Sequence, residues 1–102
     1  MIRNREQLHE YLKAVIGNDH VYFQPPESLK LRYPAIVYSR SGIRNVFADD
    51  KVYEQCTEYE VIVIDKDPEN EAVSRLSLQP YCRFDRQFIS DNLNHSVFTI
   101  YY

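Results

Sequence analysis

Apolar positions in the first part of the chain recur at the spacing of an α-helix. The stripe consists of Leu8, Tyr11, Leu12, Val15 and Ile16. Positions i, i+3, i+4, i+7 and i+8 lie on one face of a helix, so we predict a helix over residues 3–16. Gly17 and Asn18 supply its C-terminal stop. A single amphipathic helix must bury its stripe against something else, and a sheet is the expected partner.

Strand patterns occupy five later segments, which are separated by turn residues. The segments are 21–24, 34–40, 51–65, 81–89 and 96–102. Pro34 stands first in its strand, where a missing N–H does least harm. The VIVI run at 61–64 predicts burial on both faces at the end of the long third strand. Residues 43–50 show no clear period, so we predict a long hairpin with a loop around 41–52.

A second helix is predicted to begin at Asp67-Pro68-Glu69, because this tripeptide combines an N-cap acid, a proline in the first turn and acids at the positive dipole end. It is predicted to end near Leu78, with Ala72, Val73 and Leu76 facing inward. The last two strands are predicted to meet at a turn over residues 90–94, because Asp and Asn tolerate left-handed backbone and bond their own backbone.

The resulting order is α-β-β-β-α-β-β in a single domain, 1–102. Because most neighbouring strands are joined as hairpins, we predict an α+β fold with a mostly antiparallel sheet of four to five strands and two helices packed on one face. The other face then meets solvent or a partner. Nine tyrosines favour a partner, since tyrosine combines a large ring with a polar tip.

Charge and composition narrow the function classes. A formal net charge of −3 argues against a general nucleic-acid binder, which needs a basic face. Cys56 and Cys82 are interpreted as reduced core thiols. The charged, periodic N-terminal segment does not resemble a signal peptide, and the VIVI run is too short to span a membrane. No membrane partner and no cofactor are expected.

Three places in the sequence carry residues with candidate chemistry. Cys82, Asp85 and His95 supply the residue types of a nucleophile, a base and an orienting group, but no local signature marks Cys82 as reactive, and a strand and a turn explain the same residues. The aspartates around 49–50 and 65–67 lack the glycine and terminal glutamate of a calcium loop, so no metal site is predicted. We expect no catalytic residue.

The 41–52 segment is the third place. Arg40, Arg44, Lys51 and Phe47 suggest phosphate pairing and base stacking, but neighbouring aspartates oppose nucleic acid. A mixed-charge segment with an exposed phenylalanine is more typical of a protein-docking arm.

Four fragments, in order, resemble the tail-terminator (tail-completion, or minor tail) proteins of long-tailed bacteriophages of Gram-positive hosts. They are YPAIVY at 33–38, FADDKVY at 47–53, YEVIVIDKDP at 59–68, and the closing stretch FDRQFISDNLNHSVFTIY at 84–101. The resemblance covers about residues 30–102, and the N-terminal helix fits only in kind. It implies a small α+β structural protein that forms a ring, usually a hexamer, caps the tail tube, ends its growth and presents a surface for head–tail joining.

The implied partners are further copies of the chain, the tail-tube protein and the head-closure or connector protein, with DNA passing through the bore without specific binding. The implied location is the virion tail at the head–tail interface, and the host cytoplasm during assembly. A head-closure or connector component is the alternative, and a small Cys-His enzyme is a further one. From exposure and composition we predict these interface residues: Arg44, Phe47, Asp49, Asp50, Tyr53, Asp85, Arg86, Asn94 and His95.

Overall fold

A computed structural model describes residues 4–102, except for the side chains of residues 46, 48 and 52–54. The elements are α1 (Arg5–Ile16), β1 (Val21–Phe23), β2 (Ala35–Ala48), β3 (Lys51–Asp65), α2 (Glu71–Ser77), β4 (Cys82–Ser90) and β5 (Leu93–Tyr101). This is the predicted order α-β-β-β-α-β-β. Residue 3, the predicted start of the first helix, lies outside the described residues.

The five strands form one mixed sheet in the order β1-β2-β3-β5-β4. The short β1 pairs with β2 in parallel, and the other three pairs are antiparallel. The α+β fold and the mostly antiparallel sheet are therefore confirmed. Chain neighbours joined by tight turns pair directly, whereas β5 inserts between β3 and β4.

Helix α1 begins and ends where its local chemistry requires. Asn4 caps it by accepting a hydrogen bond from the Glu6 N–H at 2.6 Å, and the Gln7 side chain reaches back to the Asn4 backbone to complete a capping box. Gly17 closes the helix in the left-handed region, at φ 81°. The predicted stripe points inward, with Leu8, Leu12 and Val15 buried.

Helix α2 is shorter than predicted, and its N-cap was assigned to the wrong residue. Asn70, not Asp67, caps the helix, because its side chain accepts from the Ala72 N–H at 2.7 Å. Asp67 instead accepts from the Glu69 N–H at 2.9 Å, which shapes the turn before the helix. The inward positions Ala72 and Leu76 are buried as expected.

The long hairpin is confirmed, but the loop expected around 41–52 is strand almost throughout. Strands β2 and β3 continue to a two-residue turn at Asp49 and Asp50, whose φ angles are 52° and 62°. Two successive left-handed residues match the twist of antiparallel strands, and aspartate tolerates that conformation better than most residues. The β4–β5 hairpin has the same kind of turn, with two left-handed residues at Asp91 and Asn92 whose φ angles are 53° and 62°. The turn is thus narrower than the predicted 90–94.

The core lies between the two helices and one face of the sheet. Its largest fully buried side chains are Tyr38, Phe98, Leu8, Leu12, Ile36 and Leu76. On β3, the alternate residues Tyr59, Val61 and Val63 face this cluster, because successive side chains of a strand point to opposite faces of the sheet. Both helices therefore cover the same face.

Candidate protein interface

The β2–β3 hairpin extends beyond the rest of the sheet as a two-stranded ribbon, residues 43–57, which we call the arm. Pairing of β3 with β5 stops at Glu58 and Tyr101, and β1 pairs only with residues 36–38 of β2. The arm therefore projects about 20 Å at the rise of a strand. The molecule measures 50 × 28 × 23 Å, and this elongation agrees with a projecting arm.

Five of the predicted interface residues lie on the arm, and the four whose side chains are described are exposed. Phe47 is 63% exposed and Ile43 is 58% exposed. Asp49 and Asp50 form the tip. Tyr53, the fifth predicted arm contact, lies outside the described side chains. The arm thus carries large apolar groups that have no cover within the chain.

Arg44 has an internal contact as well as an exposed position. Its guanidinium carbon lies 5.0 Å from the ring centroid of Tyr101 on β5. A cation–π contact at an exposed site contributes about 0.5–1 kcal/mol. Arg44 therefore fastens the base of the arm to the sheet, a role that sequence reasoning did not assign.

Strand β4 forms the long outer edge of the sheet and is exposed along almost its whole length. Large apolar side chains lie along it and just before it. They are Tyr81 at 66% exposed, Phe84 at 43%, Phe88 at 39% and Ile89 at 72%. Exposed apolar side chains on an outer strand favour association, because an open strand edge can pair with another chain.

Asp85 sits at a register irregularity in β4, between Phe84 and Arg86. Its carboxylate accepts from Arg83 Nε at 3.0 Å and from the Thr99 hydroxyl. Burial by itself raises the pKa of Asp85, but these two hydrogen bonds and the nearby arginines outweigh it and lower the pKa. Asp85 is therefore an ionised group that holds the bulged edge against β5.

Arg86, Asn94 and His95 shape the neighbouring part of the β4–β5 hairpin. The His95 ring stacks on Phe88 with centroids 4.7 Å apart and planes 10° apart, and its Nδ1 lies 3.0 Å from the Leu93 carbonyl oxygen. Asn94 donates to the Lys66 carbonyl at 3.1 Å, which ties the hairpin to the segment before α2. The Arg86 guanidinium lies 5.9 Å from the Phe88 centroid.

The possible Cys-His site is not assembled in this fold. Cys82 pairs with Ile100 and packs against the helix-covered core, whereas His95 lies five residues along β5, about 17 Å away at the rise of a strand. Burial, with a smaller effect of Asp85, raises the pKa of Cys82 to about 11. The thiol is therefore protonated at neutral pH and is a weak nucleophile.

The aspartates considered for a cation are dispersed. Asp65 accepts from the Asn70 amide at 2.6 Å, Asp67 shapes its own turn, and Asp49 and Asp50 stand at the other end of β3. In the described part of the chain, no three His, Cys, Asp or Glu side chains come together as metal ligands do.

A pocket of about 270 Å³, which the sequence did not predict, lies at the base of the arm. It is lined by Tyr11, Gln79, Pro80, Tyr81, Cys82, Ile100, Tyr101 and Tyr102. The only sequence signal was the excess of tyrosine, because four tyrosines from distant positions meet there through the β4–β5 pairing. The Tyr11 hydroxyl is buried beside the pocket and has no hydrogen-bond partner among the described residues.

Comparison of the chain with protein-family models, with curated proteins and with solved structures found no match in any of the three. Within residues 4–102, none of the helices has both the length and the apolar character that a bilayer crossing requires.

Proposed function

We propose that this protein is a tail-completion protein of a long-tailed bacteriophage or prophage, which caps the tail tube, ends its growth and presents the surface for head–tail joining. Four sequence fragments in the order of that family support the proposal, and the α+β fold agrees with it. The net charge of −3 also suits a ring through which DNA passes without adhering.

The observation that carries the proposal is the arm together with the outer strand β4. Both expose large apolar side chains: Ile43 and Phe47 on the arm are mostly exposed, as is Ile89 on β4, and Phe88 is 39% exposed. Two different surfaces on one chain permit a head-to-tail contact, and such contacts close into rings when the rotation between subunits is right. A structural assembly protein needs surfaces of this kind.

Electron microscopy of the purified full-length chain, alone and mixed with isolated tail tubes, provides a direct test. We expect closed rings, and caps at one end of the tubes. Complementation provides the functional test: a phage that lacks the gene should yield heads without joined tails and tubes of abnormal length. A plasmid copy of the gene should restore virions, and a copy with an early stop codon is the control.

If the phage without the gene still produced normal virions, the proposal would be wrong. Pull-down separates tail completion from the head-closure alternative. Retention by isolated tail tubes supports tail completion, whereas retention by the portal complex alone points to a connector component.

A further inference from the structure

The pocket at the base of the arm combines an apolar floor with a polar rim. Ile100 and the uncharged thiol of Cys82 lie among its lining residues. Gln79 and the exposed Tyr81 add an amide and a hydroxyl that can donate hydrogen bonds. Its volume of about 270 Å³ is enough for one large side chain. The pocket therefore suits a segment with one large apolar side chain and with hydrogen-bond acceptors a few residues later.

The tip of the arm carries that combination of groups. Phe47 presents an aromatic ring that is 63% exposed, and two residues later the turn presents the carboxylates of Asp49 and Asp50. Aromatic side chains seated in pockets are the usual anchors of protein interfaces. A neutral rim rich in donors accepts carboxylates without charge repulsion.

Within one molecule, the tip cannot reach the pocket. The Tyr102 N–H donates to the Thr57 carbonyl at 2.8 Å, so the pocket adjoins the base of the arm. The paired strands hold the tip about 20 Å further out, at the rise of a strand. Any match between tip and pocket therefore joins two copies, and it joins different surfaces of them, as a head-to-tail contact does.

We propose that Phe47 at the tip of the arm inserts into the pocket formed by Tyr11, Tyr81, Cys82 and Tyr101 of a second copy of this chain. This contact forms the subunit interface of the proposed ring, and the inference rests on the proposed function. The carboxylates at the tip bond to the donors on the rim, and the ring of Phe47 covers the apolar floor.

Photo-cross-linking of the full chain tests the contact. The probe is p-benzoylphenylalanine in place of Phe47, because its insertion into C–H bonds does not need an ionised thiol. The matched control carries the same probe at Leu29, which is 45% exposed and lies outside the arm. After irradiation at high protein concentration, we expect covalent dimers and larger products from the first variant. The cross-linked peptides should map to residue 11, to 79–82 or to 100–102.

A second change, Tyr81→Ala, removes an exposed ring from the rim and should leave the fold intact. It should reduce the cross-linked product by about tenfold, as the loss of an aromatic anchor does. Cross-links that map elsewhere, an unchanged yield with Tyr81→Ala, or a purely monomeric product would each overturn the contact. If the wild-type gene still complements tail assembly in that case, the proposed function stands and only this interface is wrong.

Discussion

The helix-covered face of the sheet and the projecting arm use the same kinds of side chain in opposite ways. Phe98 on β5 is fully buried, whereas Phe47 on β2 is 63% exposed. Complete burial of such a side chain stabilises the fold by about 1.5–3 kcal/mol, and Phe47 contributes little of this within one chain. The core side chains therefore stabilise the fold of the single chain, whereas the apolar side chains of the arm can be buried only against a partner.

The arm also depends on weaker contacts than the core does. Isolated two-stranded hairpins are marginally stable in water. The described contacts of the arm include a hydrogen bond of 2.9 Å from Gln55 to Asn45 and the Arg44–Tyr101 contact at its base. We therefore expect the arm to open locally more easily than the covered sheet.

The largest contrast is expected between Phe98→Ala and Phe47→Ala. The first leaves a cavity in the core and should lower the free energy of unfolding by about 3–5 kcal/mol. The second should change it by less than about 0.5 kcal/mol, because the side chain is exposed in the monomer. Urea denaturation at low protein concentration measures both values, and similar losses for the two variants would contradict the division between core and arm.

Tyr11→Phe should stabilise the covered side of the molecule. It removes the buried hydroxyl, which has no partner among the described residues, and keeps the ring. The expected gain in the free energy of unfolding is about 1 kcal/mol, the lower end of the penalty for an unsatisfied buried group. Thermal unfolding measures it, with Tyr22→Phe as the control, since the Tyr22 hydroxyl accepts a hydrogen bond from the Arg32 N–H. A loss of stability in Tyr11→Phe would show that the hydroxyl has a partner.

The two turns allow a test of local against global stability. Asn92→Ala and Asp50→Ala each place alanine in a left-handed conformation, which costs about 1 kcal/mol. Asn92 closes a hairpin whose β5 strand is in the core, so we expect its variant to lower global stability by that amount. Asp50 closes the arm, so we expect faster amide hydrogen exchange in residues 43–57 with little change elsewhere. Equal global losses would mean that the arm unfolds together with the core.

The smallest effect is expected from a change of pH on the free energy of unfolding. It arises at the polar edge of the core, where α1 meets β2. His9 Nδ1 lies 2.7 Å from the Tyr38 hydroxyl, which also accepts from Arg5 at 3.2 Å. Burial, followed by Lys13 and Arg5, lowers the pKa of His9 below 6.5. Neutral His9 can accept the Tyr38 O–H, whereas protonation removes that acceptor.

Because the unfolded chain protonates His9 first, the stability from this group is complete above about pH 6.5 and declines as the pH falls through the lowered folded pKa. Urea denaturation between pH 8 and pH 5 measures the decline. His9→Gln should flatten this part of the profile, and an unchanged profile would assign the dependence to other groups.

The elements that face the core were predictable from the sequence, whereas the strands of the arm, which face no core, were not. The helical stripe of Leu8 and Leu12 and the alternation of Tyr59, Val61 and Val63 were readable because one buried face imposes a period. Residues 43–48 showed no period because the arm has no covered face, so an extended strand was interpreted as a loop. Asp, Pro and Glu are all typical of helix starts and therefore predict a cap at Asp67, but it is the Asn70 side chain that accepts from a free N–H of α2, that of Ala72.

The sequence pointed to the exposed end of the arm, and the interface role of its residues stays a prediction. Exposure and composition led to Phe47, Asp49 and Asp50, and the structure places all three at the exposed end of the arm. The pocket was not predictable, since Tyr11, Tyr81 and Tyr101 are distant in sequence. The Arg44–Tyr101 contact depends in the same way on the pairing of β3 with β5.

The sequence by itself determined the order of the elements, the amphipathic face of α1, its end at Gly17 and the site of the β4–β5 turn, because local spacing and the backbone preferences of Asn, Asp and Gly act over a few residues. Only the tertiary structure decided that β5 lies between β3 and β4 and at which residue the pairing of β3 with β5 ends. It also decided which tyrosines meet in the pocket. Those outcomes depend on strand pairing between distant segments, and β5 stops pairing at Glu58. That end point leaves the last part of the hairpin free to project as an arm.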